Sequence, residues 1–452
     1  MKKLKLVLAS LLALGVLAGC DNSNDDVAVA TFRVLHAVPD APKVNVLVDG
    51  TQLLGAVDYK EGTGFLPEAA GTYSVQVDAL VPGGVATVIG PADVPLNANT
   101  ETSIIAVGNT AAQTIEPFIH ARDVSTVPAG SARAEVLHGA PDAPPVDVYV
   151  TAFNADLATS AKLGDTTISF KDTIGPVDVP AGAYQIRVTL EGRTDAAGVV
   201  FDSGEVTLSD GADLLIVAVE ATGAGTAPIS LLLWGEDGVA GELLSIETPA
   251  NLRVVHDSPD TPAVDVVVNG DFANPLVPGI VYPEVVPADG YVSVPADTYD
   301  VVVTDAATQG LMPIMEQLTV DAGSETTVAA IDVLANVRLL LLADDNRRLA
   351  TAAKVRLVHG SPSAGPVDIY VTADGDIANV DANFEDVPFE ADTGYVELAE
   401  GSYVVTVTGP DSKTPAFTPV PITVINSGVY TAIVRDAPLG GAPFSVITLD
   451  DF

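Results

Sequence analysis

One cassette occurs four times in this chain, and no other feature constrains its fold as strongly. It reads RVLHAVPDAPKVNVLV from Arg33, EVLHGAPDAPPVDVYV from Glu135, RVVHDSPDTPAVDVVV from Arg253 and RLVHGSPSAGPVDIYV from Arg356. Its histidines, His36, His138, His256 and His359, lie 102, 118 and 103 residues apart. A solenoid repeats every ~20–50 residues, so this longer period is that of a domain. In each copy an apolar run closes on the histidine, a proline-bearing turn follows, and an alternating strand begins.

A second signature comes about forty residues later: AAGTYSVQV, PAGAYQIRV, PADTYDVVV and AEGSYVVTV, around Tyr73, Tyr184, Tyr299 and Tyr403. Tyr73, Val75 and Val77 share one face while Ser74, Gln76 and Asp78 share the other, the alternation of a half-buried strand. The tyrosine is placed as in the tyrosine corner of immunoglobulin-like sandwiches, with its hydroxyl satisfied by backbone. Gly71, Gly182 and Gly401 precede it by two residues, where a positive φ would be easy; Asp297, a residue that tolerates the left-handed region, takes that place in the third copy.

Denser apolar runs at 103–107, 214–219, 327–331 and 430–434 suit central strands covered on both faces. A closing strand follows at 117–123, 231–237, 339–345 and 445–451. The units therefore run 29–123, 132–237, 250–345 and 353–451, and no segment sustains a helical period. The expected fold is all-β: four tandem immunoglobulin-like β-sandwich domains of about seven strands each. With 39 Gly, 32 Pro and a 48% hydrophobic composition, many short strands and frequent turns fit better than disorder.

The first 19 residues form a leader, with Lys2, Lys3 and Lys5 ahead of an apolar run from Leu6 to Val16. The run is too short for a permanent span and reads as a secretory signal. It ends in Leu17-Ala18-Gly19-Cys20, which resembles the lipobox of bacterial lipoproteins. Cleavage before Cys20 and acylation of that residue follow from the resemblance. Cys20 is the sole cysteine, so no intrachain disulfide forms. Residues 20–28 are a lipidated tether. Asp21 resembles an inner-membrane retention signal, although the outer membrane or cell surface is the favoured address. The expected partners are the membrane, through acyl chains on Cys20, and an unknown surface ligand or envelope protein.

Acidic residues outnumber basic ones by 60 to 20, for a formal net charge of −40. Such a surface repels nucleic acid, which is excluded as a partner, and keeps the protein soluble. Salt adaptation, or diffuse attraction of divalent cations, accounts for it.

The two signatures together resemble the family known as domain of unknown function 4397, whose members carry V-H-x-S-P-D-x-P-x-V-D-V followed by P-A-G-x-Y. The resemblance spans nearly all of the chain after the leader and is best at His256–Val268 and His138–Val150. The fourth copy departs, with Ser363 and Gly365 in place of Asp and Pro. The resemblance implies extracytoplasmic β domains and no assigned chemistry.

The cassette admits two readings. As a corner, its prolines set the turn, the aspartates Asp40, Asp142 and Asp260 bond nearby backbone, and the histidine bonds a turn carbonyl. As a site, each histidine pairs with its aspartate for metal or acid–base chemistry, with Asp147, Asp265 and Asp368 as further carboxylates. A closed transition-metal site takes three or four ligands, yet each unit supplies one imidazole. Strand parity also turns the second aspartates away from the valine face, so the corner is the expected role. His120 aligns by sequence with Trp234, Leu342 and Thr448 and reads as a packing residue.

No GxSxG elbow, HExxH helix, P-loop, CxxC pair or EF-type loop occurs. The chain is therefore expected not to be an enzyme and to carry no cofactor, weak Ca²⁺ aside. The expected role is a surface or periplasmic spacer, adhesion or ligand-capture module. The alternatives are Ca²⁺ or glycan binding by sandwich-end loops, with Tyr149, Tyr370 and Tyr395 available for sugar, and an unrecognised envelope hydrolase.

Overall fold

The computed structural model describes residues 28–450. The leader, Cys20 and Asp21 lie outside the described residues. The first repeat contains β1 (Val29–His36), β2 (Val44–Val48), β3 (Thr51–Val57), β4 (Leu66–Ala69), β5 (Gly71–Val81), β6 (Gly84–Leu96), β7 (Thr100–Val107) and β8 (Glu116–Asp123). They form two four-stranded sheets, ordered β4-β1-β7-β8 and β3-β2-β5-β6. Pairing is antiparallel except between β1 and β7, which run parallel from Thr31 opposite Glu101 to His36 opposite Ala106. The other three repeats reproduce this pattern, including the parallel pair. The protein is all-β, a tandem array of β-sandwiches with eight sheets of four or five strands among the described residues.

Each repeat follows this eight-strand plan where about seven are expected, although in the third the counterpart of β4 is split into Val285–Val286 and Val292–Val294. The second adds another, Gly238–Leu243, which pairs with Ile229–Gly235 and lies just past the expected boundary at 237. Part of the longer histidine spacing between the second and third repeats is this strand.

Strand alternation divides the side chains of β1 and β7 between two cores. Ala30, Phe32, Val34 and Ile104 face inward onto Val44, Val46, Val75 and Val77, making the core of the first sandwich. Leu35, Ile105 and Val107 point the other way and pack on Leu137, Leu215, Val217, Val219, Leu232 and Trp234 of the second repeat. Covering a Leu or Val completely contributes about 1.5–3 kcal/mol, so this shared layer is a core in its own right. Its existence explains why the central strands read as unbroken apolar runs: both faces are dry.

The repeats are thus joined in pairs. Among the described residues, 28–221 with 227–246 form one compact unit, and 222–226 with 247–450 form the other. Within the second unit the same layer joins repeats three and four: Val255, Ala329, Ile331 and Leu342 meet Val358, Ile433, Ile447 and Leu449. We call this layer the seam. The alternation of the histidine spacings, short, long, short, is the sequence trace of the pairing.

Candidate functional site: the histidine corner

The four histidines sit at the end of β1 and its counterparts, each at most 2% exposed. Their Nε2 atoms lie 3.2 Å from Pro42 O, 3.2 Å from Pro144 O, 3.1 Å from Pro262 O and 2.6 Å from Gly365 O. Nδ1 accepts the backbone N–H of Val38 at 3.2 Å, of Ser258 at 3.4 Å and of Ser361 at 3.3 Å. A carbonyl only accepts and a backbone amide only donates, so the proton is on Nε2 and Nδ1 is bare. The ring is a neutral strut that closes the proline turn onto the strand end. In the second repeat Nδ1 of His138 has no hydrogen-bond partner. Burial pushes His138, His256 and His359 below the ordinary histidine pKa, and the carbonyl bond opposes it.

Gly365 shows why the fourth copy lost its second proline. Its φ is 68°, which proline, fixed near −65°, cannot adopt.

The aspartates do not meet the histidines. Asp40 Oδ1 and Oδ2 accept the N–H groups of Thr110 and Ala111 at 2.7 and 2.8 Å, tying the turn to the loop after β7. Asp260 does the same to Leu334 at 2.6 Å. Asp142 is exposed; its own N–H donates to Glu220 Oε1 at 3.1 Å.

The later acidic position has a separate task. Asn45 accepts from Ala56 at 3.0 Å, Asp265 from Gly279 at 2.7 Å and Asp368 from Asp386 at 2.9 Å. All three donors have left-handed backbone, at φ 54°, 62° and 50°. Each lies on the neighbouring strand where the ladder shifts register, so the side chain pins a bulge. Asp147, in the copy without that shift, instead accepts from Thr167 Oγ1, Lys162 and the Gly192 N–H. Those three donors hold its pKa down even though burial pushes it up.

Sequence reasoning missed one component. Rings from the loop after β3 stand edge-on to the histidines: Tyr59 on His36 at 6.3 Å, Tyr282 on His256 at 6.2 Å and Phe389 on His359 at 6.1 Å. The residues beside them clasp the histidine backbone, as in Lys60 N–H to His36 O at 2.8 Å and His36 N–H to Glu61 O at 3.0 Å. The second repeat repeats this clasp with Lys171 and Asp172. The signal was an aromatic followed within three residues by an acid in every copy. Its variable distance from the histidine hid it.

The tyrosines are corners. Tyr73, Tyr184, Tyr299 and Tyr403 donate to the carbonyl four residues earlier: Ala69, Pro180, Pro295 and Ala399, at 2.9, 2.7, 2.8 and 3.0 Å. The residue two positions earlier does not need a positive φ. Gly71, Gly182 and Asp297 are absent from the left-handed region, and Gly401, at 158°, is nearly extended. The reason is that strand pairing begins at these residues, which holds them extended.

His120 is more than packing. It stacks on Phe118 with ring centroids 6.4 Å apart, and its Nε2 lies 2.8 Å from Oε1 of Glu135, close for charge pairing though not aligned as a hydrogen bond. Register also moves one of its counterparts. Ser103 faces His120 and the equivalent Thr431 faces Leu449, so the fourth copy supplies Leu449 in place of Thr448.

Each corner offers a neutral imidazole, and in three of the four both nitrogens are engaged by backbone. At those three neither nitrogen is left over for a metal or a substrate, whereas the bare Nδ1 of His138 is buried and unpartnered. The fold and its corners define a class: tandem β-sandwiches closed by buried histidine and half-buried tyrosine struts. The profile of the domain of unknown function (DUF4397) matches residues 30–149 and 250–370, more than half of the chain. The protein belongs to that family. Each match begins in β1 or its counterpart and ends in the second strand of the next repeat, thereby crossing a seam.

No curated protein matches the chain. Among solved structures, the Bacillus anthracis TIE protein is similar at 11% identity over 91% of this chain and 69% of its own, with a TM-score of 0.16. The family 26 carbohydrate-binding module of Eubacterium rectale Amy13K, in complex with maltoheptaose, is similar at 11% identity, covering 44% of this chain and 96% of that one, with a TM-score of 0.15. The multi-modular glycogen-degrading pneumococcal virulence factor SpuA is similar at 10% identity over 86% and 37%, with a TM-score of 0.17. Overlaps this loose carry no argument about ligand or arrangement.

Proposed function

We propose that this is an exported, acyl-anchored and non-catalytic protein of the bacterial envelope, whose paired sandwiches act as a spacer, adhesion or ligand-capture module. The observation that carries the address is the leader ending at Leu17-Ala18-Gly19-Cys20, with the chain's only cysteine at the acceptor position. Acyl chains on that residue would anchor the chain to a membrane. The absence of catalysis is supported by the corners, which use their titratable groups to hold backbone.

Mass analysis of the amino-terminal peptide tests the address. The expected result is an acylated Cys20 with residues 1–19 removed, and release of a Cys20→Ser variant from the membrane fraction. An unmodified Cys20 overturns the anchor. Glycan and matrix-protein arrays probed with the chain from residue 28 test capture. Binding to none of them leaves the spacer as the role.

A further inference from the structure

The two seams carry the same kind of ion pair with its charges exchanged. Arg122, near the end of β8, and Asp344, just past Arg338–Ala343, are equivalent, because each stands opposite the equivalent residue of β7 or its counterpart, Glu101 or Glu325. Glu135 and Arg356 are equivalent as well, each three residues before its histidine. In the first unit Arg122 of repeat one lies 3.8 Å from Glu135 of repeat two and 2.8 Å from Asp213 of the same repeat. In the second unit Asp344 of repeat three bonds Arg356 of repeat four. Glu135, Asp344 and Arg356 have side chains at most 3% exposed. Other seam positions keep their sign: Arg33 and Arg253 both stack on aromatic rings, Trp234 and Phe65 for one and Tyr291 for the other.

We infer that this exchanged pair determines which repeats dock, one with two and three with four. Both seams are largely aliphatic, with Leu449 of the second in the place of Trp234 of the first, and the exchanged pair adds a charge penalty to that difference in packing. Repeat one docked on repeat four would bring Arg122 against Arg356, and repeat three docked on repeat two would bring Asp344 against Glu135. Like charges facing each other in a layer shielded from water repel strongly and exclude the wrong partner. Buried pairs add little net stability over apolar residues, and their best-attested use is to select partners.

The full-length chain reports its own pairing. Lys60 lies 2.6 Å from Glu242 and Lys171 lies 2.6 Å from Glu116, each joining repeats one and two at accessible positions. A zero-length carbodiimide should link both pairs, read by peptide mass spectrometry after denaturation and refolding. Arg122→Asp and Glu135→Arg should each lower both yields at least tenfold. The combination Arg122→Asp, Glu135→Arg and Asp213→Val gives the first unit the residues the second carries at those positions, and should return the yields to within twofold of the parent. The inference is overturned if the single variants refold with undiminished links. It is equally overturned if the combined variant does no better than the singles, which would make those residues structurally required and not selective.

Discussion

The first unit's seam is built around an aromatic, and the second's around carboxylates. In the first, Trp234 is fully buried, donates Nε1–H to Thr63 O at 2.8 Å and stacks on Arg33. Burial pulls Arg33 down to about 10, which leaves it charged at neutral pH. In the second, Asp344 collects Arg253, Arg356, Thr327 Oγ1 and Tyr291 OH. Nearby, Asp257 is 1% exposed with neither carboxyl oxygen hydrogen-bonded, and burial drives its pKa well above the usual carboxylate value. The matching residue of the first unit is Ala37, in the shared apolar layer. One blueprint therefore tolerates two chemistries in its middle layer, provided each is satisfied locally. Asp257 is a carboxylate for which that condition fails at both oxygens.

The largest effect should come from Trp234→Ala. It removes a fully buried indole and orphans a carbonyl, so the first unit should lose about 3–5 kcal/mol. Hydrogen exchange should rise around Leu137 and Val217 and stay unchanged around Val358 and Ile433. Equal losses in both units would break the separation drawn here.

His256→Ala should cost about 1–3 kcal/mol, because Pro262 O and the Ser258 N–H both lose a partner. His138→Ala should cost less, since only Pro144 O is orphaned; denaturant titration of the two variants ranks them. The pH dependence has a definite sign. A histidine whose folded pKa is depressed contributes stability that is present above its unfolded value of about 6.5 and is lost as pH falls through the folded one. The gap between parent and His256→Ala should therefore narrow on acidification.

Asp257→Ala installs the residue of the first unit in the second and should stabilise it by about 1–3 kcal/mol at neutral pH, the scale of an unsatisfied buried polar group. Asp257 has the opposite linkage. Its raised folded pKa gives a contribution present below the unfolded value of about 3.9 and lost as pH rises. The gain from the alanine should therefore shrink towards pH 4. Arg435, Asp436 and Tyr282 face the same spot; a gain independent of pH would mean that Arg435 already neutralises the carboxylate.

The smallest effect belongs to the corner hydroxyls. Tyr184→Phe and Tyr299→Phe should each cost about 0.5–1.5 kcal/mol, and the two units should agree. Thermal melts differing by more than that range would show that the units diverge outside their seams as well.

Much of the fold was legible because strand alternation and turn chemistry are local. Val44 and Val46 announce an inward face, and Pro39-Asp40 announces a turn. The donors to Asp40, at Thr110 and Ala111, were not legible, since they lie seventy residues away with nothing in their own sequence to mark them. The seam was half visible. Ile104-Ile105-Ala106-Val107 says that both faces of β7 are covered, but not by what. The ion pairs across the seam were hidden for a simpler reason. Glu135 looks like an exception among three arginines until His120 and Arg122 are brought beside it.

The parallel pairing of β1 with β7 also bears on how the chain would take load. β1 is the first strand of the described residues, and it is an interior one, held by β4 on one side and β7 on the other. Tension arriving through the residues before Val29 therefore has no free edge to peel. Both ladders, and the shared layer beneath Leu35, must give way together, so a load entering at Val29 meets an interior strand of its sheet.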